Sequence, residues 1–237
     1  MLHLFLPFFL AVWQLASEPP AEKLIAVYDA RLSPKPAKIS PADVALARRA
    51  AESAWGNQPN CDSDFEALDV ANGSFTKAQT SQKAILYRRC TTGHNFALDG
   101  IAIIEGDKLV TQIAYEGAWD NAIGALPDIN RNGLSEIIIA TGGTNQGITW
   151  GVVSIIELAS DGVSKLGHFE TYEDNCGALD KKKSTAHKLY VKAGARPVFY
   201  QESFSKRGCD HRVNWTKSSP VERIEANKDE TEYRRLN

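Results

Sequence analysis

The feature that most constrains this chain is a succession of short runs rich in Ile, Val, Tyr and Phe, each closed off by Gly, Asp, Asn or Ser. They fall at 65–71, 84–88, 100–105, 109–115, 137–141, 152–158, 163–169, 188–192 and 198–204. β-Branched and aromatic side chains suit a pleated backbone, and the turn residues between them interrupt it, so the pattern predicts strand after strand. A shift of 52 positions lays Ile85-Leu86-Tyr87 on Ile137-Ile138-Ile139, Ile101 on Val153, and Ile103-Ile104-Glu105 on Ile155-Ile156-Glu157. A second such shift brings Leu189-Tyr190-Val191 into the first column. Repeats of about this length, with several strands in each, are the mark of blade-like β units. About 175 residues follow Cys61, a little over three units, whereas propellers close with roughly four to eight blades. The expected fold class is mainly β: blade-like antiparallel repeats in an open or incomplete propeller-like array, or a sandwich, with one N-terminal helix.

That helix is expected at 40–55. Ser40 can cap its free amides, Pro41 suits the first helical position, Asp43 stands three residues after the cap, and Gly56 supplies the stop. Val44, Ala47, Ala51 and Trp55 recur at helical spacing and form the face that docks. Residues 17–39 read as a linker holding one apolar run, Leu24 to Tyr28. The charged stretch 217–237 reads as an edge strand or a tail. Residues 40–237 are thus expected to form a single β-repeat domain.

Leu2 to Ala16 is rich in Leu and Phe and carries no Asp, Glu, Lys or Arg. It is shorter than the ~20 residues a membrane-spanning helix needs, and Ser17-Glu18-Pro19-Pro20 ends it. Residues 1–16 therefore read as a secretory signal peptide. The cysteines agree with export. There are four, none in a CxxC pair, and Cys61–Cys90 with Cys176–Cys209 is the simplest pairing because each bond closes a local segment. A net charge of −2 gives no pull toward nucleic acid or an anionic membrane surface. The one basic cluster, Lys181-Lys182-Lys183, reads as a solvated loop.

One segment carries recognisable chemistry. Residues 128–136 run Asp-Ile-Asn-Arg-Asn-Gly-Leu-Ser-Glu, with side-chain oxygens at positions 1, 3, 5 and 9 and glycine at the sixth. Calcium takes about six to eight oxygen ligands from carboxylates, amides, carbonyls and water. Asp128, Asn130, Asn132, the carbonyl of Leu134, and Glu136 offer such a set. An EF-hand would need Glu at position 12 and a helix beyond; position 12 is Ile139, inside an apolar β run. The segment resembles instead the calcium loop of the FG-GAP and VCBS repeats of integrin-alpha-like propellers, in which a D-x-[DN]-x-[DN]-G-x-x-[DE] loop leads into a hydrophobic strand. The resemblance is specific for 126–141 and loose for about 80–170. It implies that Asp128, Asn130, Asn132, Leu134 and Glu136 hold Ca2+. The equivalent stretch of the first unit, around Gly73-Ser74-Phe75-Thr76, has lost the acidic residues.

Other motifs carry less. Thr141 to Gly147 is glycine-rich but lacks the Lys-Ser/Thr pair of a phosphate loop, and reads as a connecting loop. His94, His168, His187 and His211 lie on separate segments without ligand spacing. No GxSxG occurs, so catalytic residues are not assigned. The expected function is a secreted or periplasmic, non-catalytic calcium-binding module for adhesion or ligand binding through loops such as 141–150. Its partner would be a protein or a carbohydrate; a flat loop face with Trp150 or Trp119 exposed would favour binding over catalysis. The alternative is a small secreted hydrolase with a structural calcium ion and His94 or Asp62 in its cleft. The exported mature protein is expected to begin between about Ser17 and Glu22. Mass spectrometry of the secreted fraction checks this, and an intact Met1 in soluble cytosolic protein would refute export.

Overall fold

Successive side chains of a strand point to opposite faces, so a run such as Ile101-Ala102-Ile103-Ile104 must be covered on both sides. The chain meets that demand by stacking layers. The structure is a computed structural model describing residues 23–32, 37–56, 58, 61–93, 96–117, 120–160, 162–178, 182–208 and 213–236. The apolar stretch 1–16, Pro34, Pro36, His94, Trp119, Lys181, Cys209 and His211 lie outside them. Strands make up 58% of the described residues and helix 8%, so the protein is mainly β with one helix.

The elements run β1 (Ile25–Asp29), α1 (Pro41–Trp55), β2 (Glu66–Gly73), β3 (Gln82–Gly93), β4 (Phe96–Glu105), β5 (Lys108–Gly117), β6 (Asp120–Ala125) and β7 (Ile137–Asn145). Then follow β8 (Ile148–Ala159), β9 (Gly162–Asp174), β10 (Lys183–Lys192), β11 (Val198–Arg207), β12 (Thr216–Lys217), β13 (Glu222–Ile224) and β14 (Arg234–Leu236). Strands β2 to β5 form an antiparallel meander, extended by β14 along β5. A second meander, β6 to β9, continues through a three-residue pairing of β9 into β10. Strand β10 then leaves β9 and pairs along the same edge with β1, while β11 lies on its other side.

Each layer packs on the next in the same orientation. Ile85, Tyr87, Ala102 and Ile104 face α1, where Leu46, Ala47, Ala50 and Ala51 cover them. Leu86, Ile101 and Ile103 face the other way and meet Ile137, Ile139 and Ile156. Behind those, Ile138, Val153 and Ile155 meet Leu189, Val191 and Phe199. The repeat read from sequence therefore has a spatial meaning: Ile85, Ile137 and Leu189, one column of the shift, occupy three successive interfaces, as do Tyr87, Ile139 and Val191. The copies differ by a two-residue slip in pairing. Ile85 pairs with Ala102, but Ile137 pairs with Ile156 and not with Ser154. A slip of two keeps every side chain on its own face.

The helix is capped as expected. Ser40 Oγ accepts the N–H of Asp43 at 3.2 Å, and the N–H of Gly56 bonds Glu52 O. Its buried face centres on Leu46, Ala47, Ala50 and Ala51, rotated from the expected stripe; Val44 and Trp55 sit at its margins. The guanidinium of Arg234 lies over the Trp55 ring. Three further differences from the sequence reading have physical causes. The apolar run of the linker is β1, held by its pairing with distant β10. Strand β6 went unforeseen because Asp120–Ala125 holds little bulk. Residues 141–150 are not a loop: β7 and β8 continue to a two-residue turn whose central residues, Gln146 and Gly147, both have positive φ (49° and 81°), as twisted hairpins require. The expected Cys61–Cys90 disulfide is present. Cys176 is also disulfide-bonded, while its expected partner Cys209 lies outside the described residues.

Buried Asp69 on β2 ties the layers where β2 and β6 meet. Its carboxylate accepts the N–H of Ala37 (3.0 Å), Val70 (2.9 Å) and, on β6, Ile123 (3.1 Å). Removing it strands the buried N–H of Ile123, at a cost of about 1–3 kcal/mol, and two part-buried donors, those of Ala37 and Val70. Asp69→Ala should lower stability by about 3 kcal/mol or more, roughly 6–12 °C in Tm for a domain of this size. A Tm within a degree of wild type would refute the joint.

Candidate functional site

The segment joining β6 to β7 closes at its neck, where Leu126 N–H donates to Glu136 O at 2.8 Å. Ile129 is fully buried in the third interface, with Ile138, Leu189 and Phe199, and plugs the loop into the core. The Ile129 carbonyl accepts the N–H of Gly194 from the β10–β11 turn at 2.9 Å. On the other side Ser135 N–H donates to Ser74 O at 2.9 Å, and Ser74 N–H to Ser135 Oγ at 3.1 Å. The loop thus touches the layers before and behind it.

The expected ligand residues converge within this loop. Asp128 Oδ1 accepts Asn132 N–H (2.9 Å) and Oδ2 accepts Gly133 N–H (2.7 Å). Asn130 Oδ1 accepts Asn132 N–H at 3.2 Å, and Asn132 Oδ1 accepts Leu134 N–H at 2.9 Å. Glu136, fully buried, reaches back to the N–H of Ile129 (3.0 Å) and Asn130 (3.2 Å). Leu134 is half-buried. Gly133 has φ 93°, a left-handed angle that a side chain would resist.

A further carboxylate comes from outside the motif. Glu157 on β8 is 6% exposed and its Oε2 accepts the Nδ2–H of Asn130 at 2.6 Å and of Asn132 at 2.7 Å. Among the described residues, no basic side chain pairs with Glu136 or Glu157. Burial pushes the Glu136 carboxyl up to about 7; the N–H bonds from Ile129, its own amide and Asn130 oppose that rise, and the charge of Glu157 adds to it.

The first layer holds a copy of this arrangement without the acids of the loop itself. Gln82 Oε1 accepts the N–H of Phe75 and of Thr76, both at 2.9 Å, as Glu136 does for Ile129 and Asn130. All three pairs of residues are 54 apart, and left-handed Gln79 stands the same distance before Gly133. In that first loop Gln82 Nε2 donates to Glu105 Oε2 at 2.8 Å. The second loop has Glu136 in the place of Gln82 and Glu157 in the place of Glu105, so the N–H between the two side chains is replaced by a second acceptor. Among the described residues, no three His, Cys, Asp or Glu side chains are gathered as a ready-made metal-ligand set; the donor set here mixes carboxylates with amides and a carbonyl.

The remaining candidates stand apart. Asp62 and Asp64 are exposed. His168 Nδ1 meets Ser154 Oγ, and His187 Nδ1 meets Ser203 Oγ at 3.0 Å, with burial lowering the His187 pKa. A shallow groove of about 390 Å³ lies where Trp150, Glu170, Tyr172 and His187 face one another. Comparison with family models, with curated proteins and with solved structures finds no match to the chain. Among the described residues no helix is long and apolar enough to cross a membrane. Sequence reasoning missed Glu157 and Gln82, although Glu157 was visible as the partner of Glu105 in the repeat.

The raised Glu136 carboxyl has a direct consequence for the metal-free protein. Between its ordinary 4.5 and its folded value of about 7, the folded state keeps a proton that the unfolded chain has released. Its contribution to stability is complete below 4.5 and is lost as pH rises through 7. In chelator, the urea midpoint of wild type should fall between about pH 5 and about pH 8 relative to that of Glu136→Gln, which reproduces the first loop's amide. Parallel curves for the two proteins would refute this.

Proposed function

We propose that the chain is an exported, non-catalytic calcium-binding β-repeat module whose ion is structural. One observation carries the reading: two buried carboxylates, Glu136 and Glu157, meet at the 128–136 loop without a basic partner among the described residues, where the sister loop has an amide donor. Charges held in a low-dielectric site need compensation, and a cation supplies it. The residues fit a hard cation. Asp128, Asn130, Asn132, the Leu134 carbonyl and Glu136 are oxygen donors, and carboxylate oxygens that accept one N–H keep a further lone pair. The ion would neutralise this cluster and hold the loop rigid between the layers. The likeness of the motif to the FG-GAP and VCBS calcium loops supports the same reading, and the disulfide-bonded cysteines support export.

Binding of a protein or carbohydrate partner is the role we assign to the rest of the module. The groove at Trp150 and Tyr172 supports it, since aromatic faces beside Glu170 and Glu173 suit a ligand that is both apolar and hydroxyl-bearing.

Calcium affinity should lie in the weak extracellular range, on the order of 10⁻⁴–10⁻³ M. At ten times the Kd, linkage adds about 1.4 kcal/mol, or roughly 3–5 °C in Tm. Calcium should therefore raise the wild-type Tm by a few degrees, magnesium should do so poorly, and Asp128→Ala should abolish the rise. Identical wild-type melting curves in calcium and in chelator would overturn the proposal.

A further inference from the structure

Calcium loops gain charge when aspartate stands at their third and fifth positions, yet this loop has asparagine at both. We infer that Glu157 is a positioning residue that fixes Asn130 and Asn132 with their amide oxygens toward the loop interior, and that it requires asparagine there. The inference rests on the calcium reading for what those oxygens would bind, but the contact itself needs no metal.

The hydrogen bonds allow only one orientation. Both Nδ2 groups donate to the same Glu157 oxygen, at 2.6 and 2.7 Å, and both Oδ1 atoms accept loop N–H groups. Turned over, each amide would set its oxygen against the carboxylate; Leu134 N–H would lose its acceptor and Asn132 N–H would keep Asp128 alone. Aspartate at either position has no N–H to give. It would place a second carboxylate against one that is 6% exposed, where like charges repel strongly. The first layer repeats the device independently: the strand glutamate there, Glu105, takes its hydrogen bond from the side-chain amide of Gln82. In both layers a glutamate from the second strand of the hairpin fastens the loop through an amide N–H.

A double-mutant cycle tests this with wild type, Asn132→Asp, Glu157→Gln and Asn132→Asp/Glu157→Gln. Each is melted in chelator and titrated calorimetrically with calcium chloride at pH 7. In chelator Asn132→Asp should melt about 3 °C or more below wild type. The double variant should recover most of that loss, since the amide introduced by Glu157→Gln offers the N–H that the new aspartate accepts. In calcium, Asn132→Asp should bind about tenfold more weakly than wild type despite its extra carboxylate, and the double variant should restore the affinity. Tighter binding by Asn132→Asp alone, or no recovery in the double variant, overturns the inference. Wild type silent to calcium with recovery intact in chelator overturns the proposed function and supports the positioning role. Asn130→Asp, whose amide shares the same oxygen, replaces Asn132→Asp should that variant fail to fold.

Discussion

A strand that is apolar on both faces has to be covered twice, and most of this architecture follows from that requirement. Strands β3, β4, β7 and β8 alternate large aliphatic side chains between two interfaces. Either meander alone would leave such a face in water, at a cost in free energy. The first layer is closed by α1 and the second, and the second by the first and by β1, β10 and β11. The loops at one edge then lock the layers in place, through Ser74 and Ser135 on one side and through Ile129 and Gly194 on the other.

The two copies of the edge loop solve one polar problem differently. In each, a side chain at the start of a strand turns back to satisfy two backbone N–H groups at the head of the loop. A glutamine does this neutrally and has an N–H left for Glu105. A glutamate does it with a charge, close to a second buried charge. The first loop is therefore complete in itself, whereas the second carries an excess of negative charge that a bound cation or a proton relieves. The difference lies in a few side chains on a common backbone path, and on our reading it separates a structural turn from a ligand site.

How far the sequence foretold this depends on whether the cause was local. The helix was legible from Ser40, Pro41 and Gly56, and the central strands from uninterrupted aliphatic runs. The loop was legible because Asp128, Asn130, Asn132 and Glu136 are spaced within one turn of chain. Strand β1 was not, because its partner is β10, nor was β6, whose only buried apolar residues among those described are Ala122 and Ile123. The glycines of 141–147 suggested a loop because their usual role is flexibility. Here they serve close approach: a Cβ on Gly142 would come within 2.9 Å of Trp150 O, and one on Gly147 would collide with the Gly177 carbonyl. Glu157 escaped notice because a residue that reaches a loop from the next strand leaves no mark in the loop's own spacing. The offset between copies, 52 in the strands and 54 in the loops, also hid the correspondence between Gln82 and Glu136.

The helix has a role beyond filling a face. Ile85, Tyr87 and Ile104, which it covers, are the counterparts of Ile137, Ile139 and Ile156, which in the next copy receive a whole layer. The surface under α1 is thus shaped to accept the back of a neighbouring β-meander. Were it bare, one molecule could dock on the next head to tail, a contact that does not close and so extends into a filament. In this protein the alanine-rich face of α1 covers that surface.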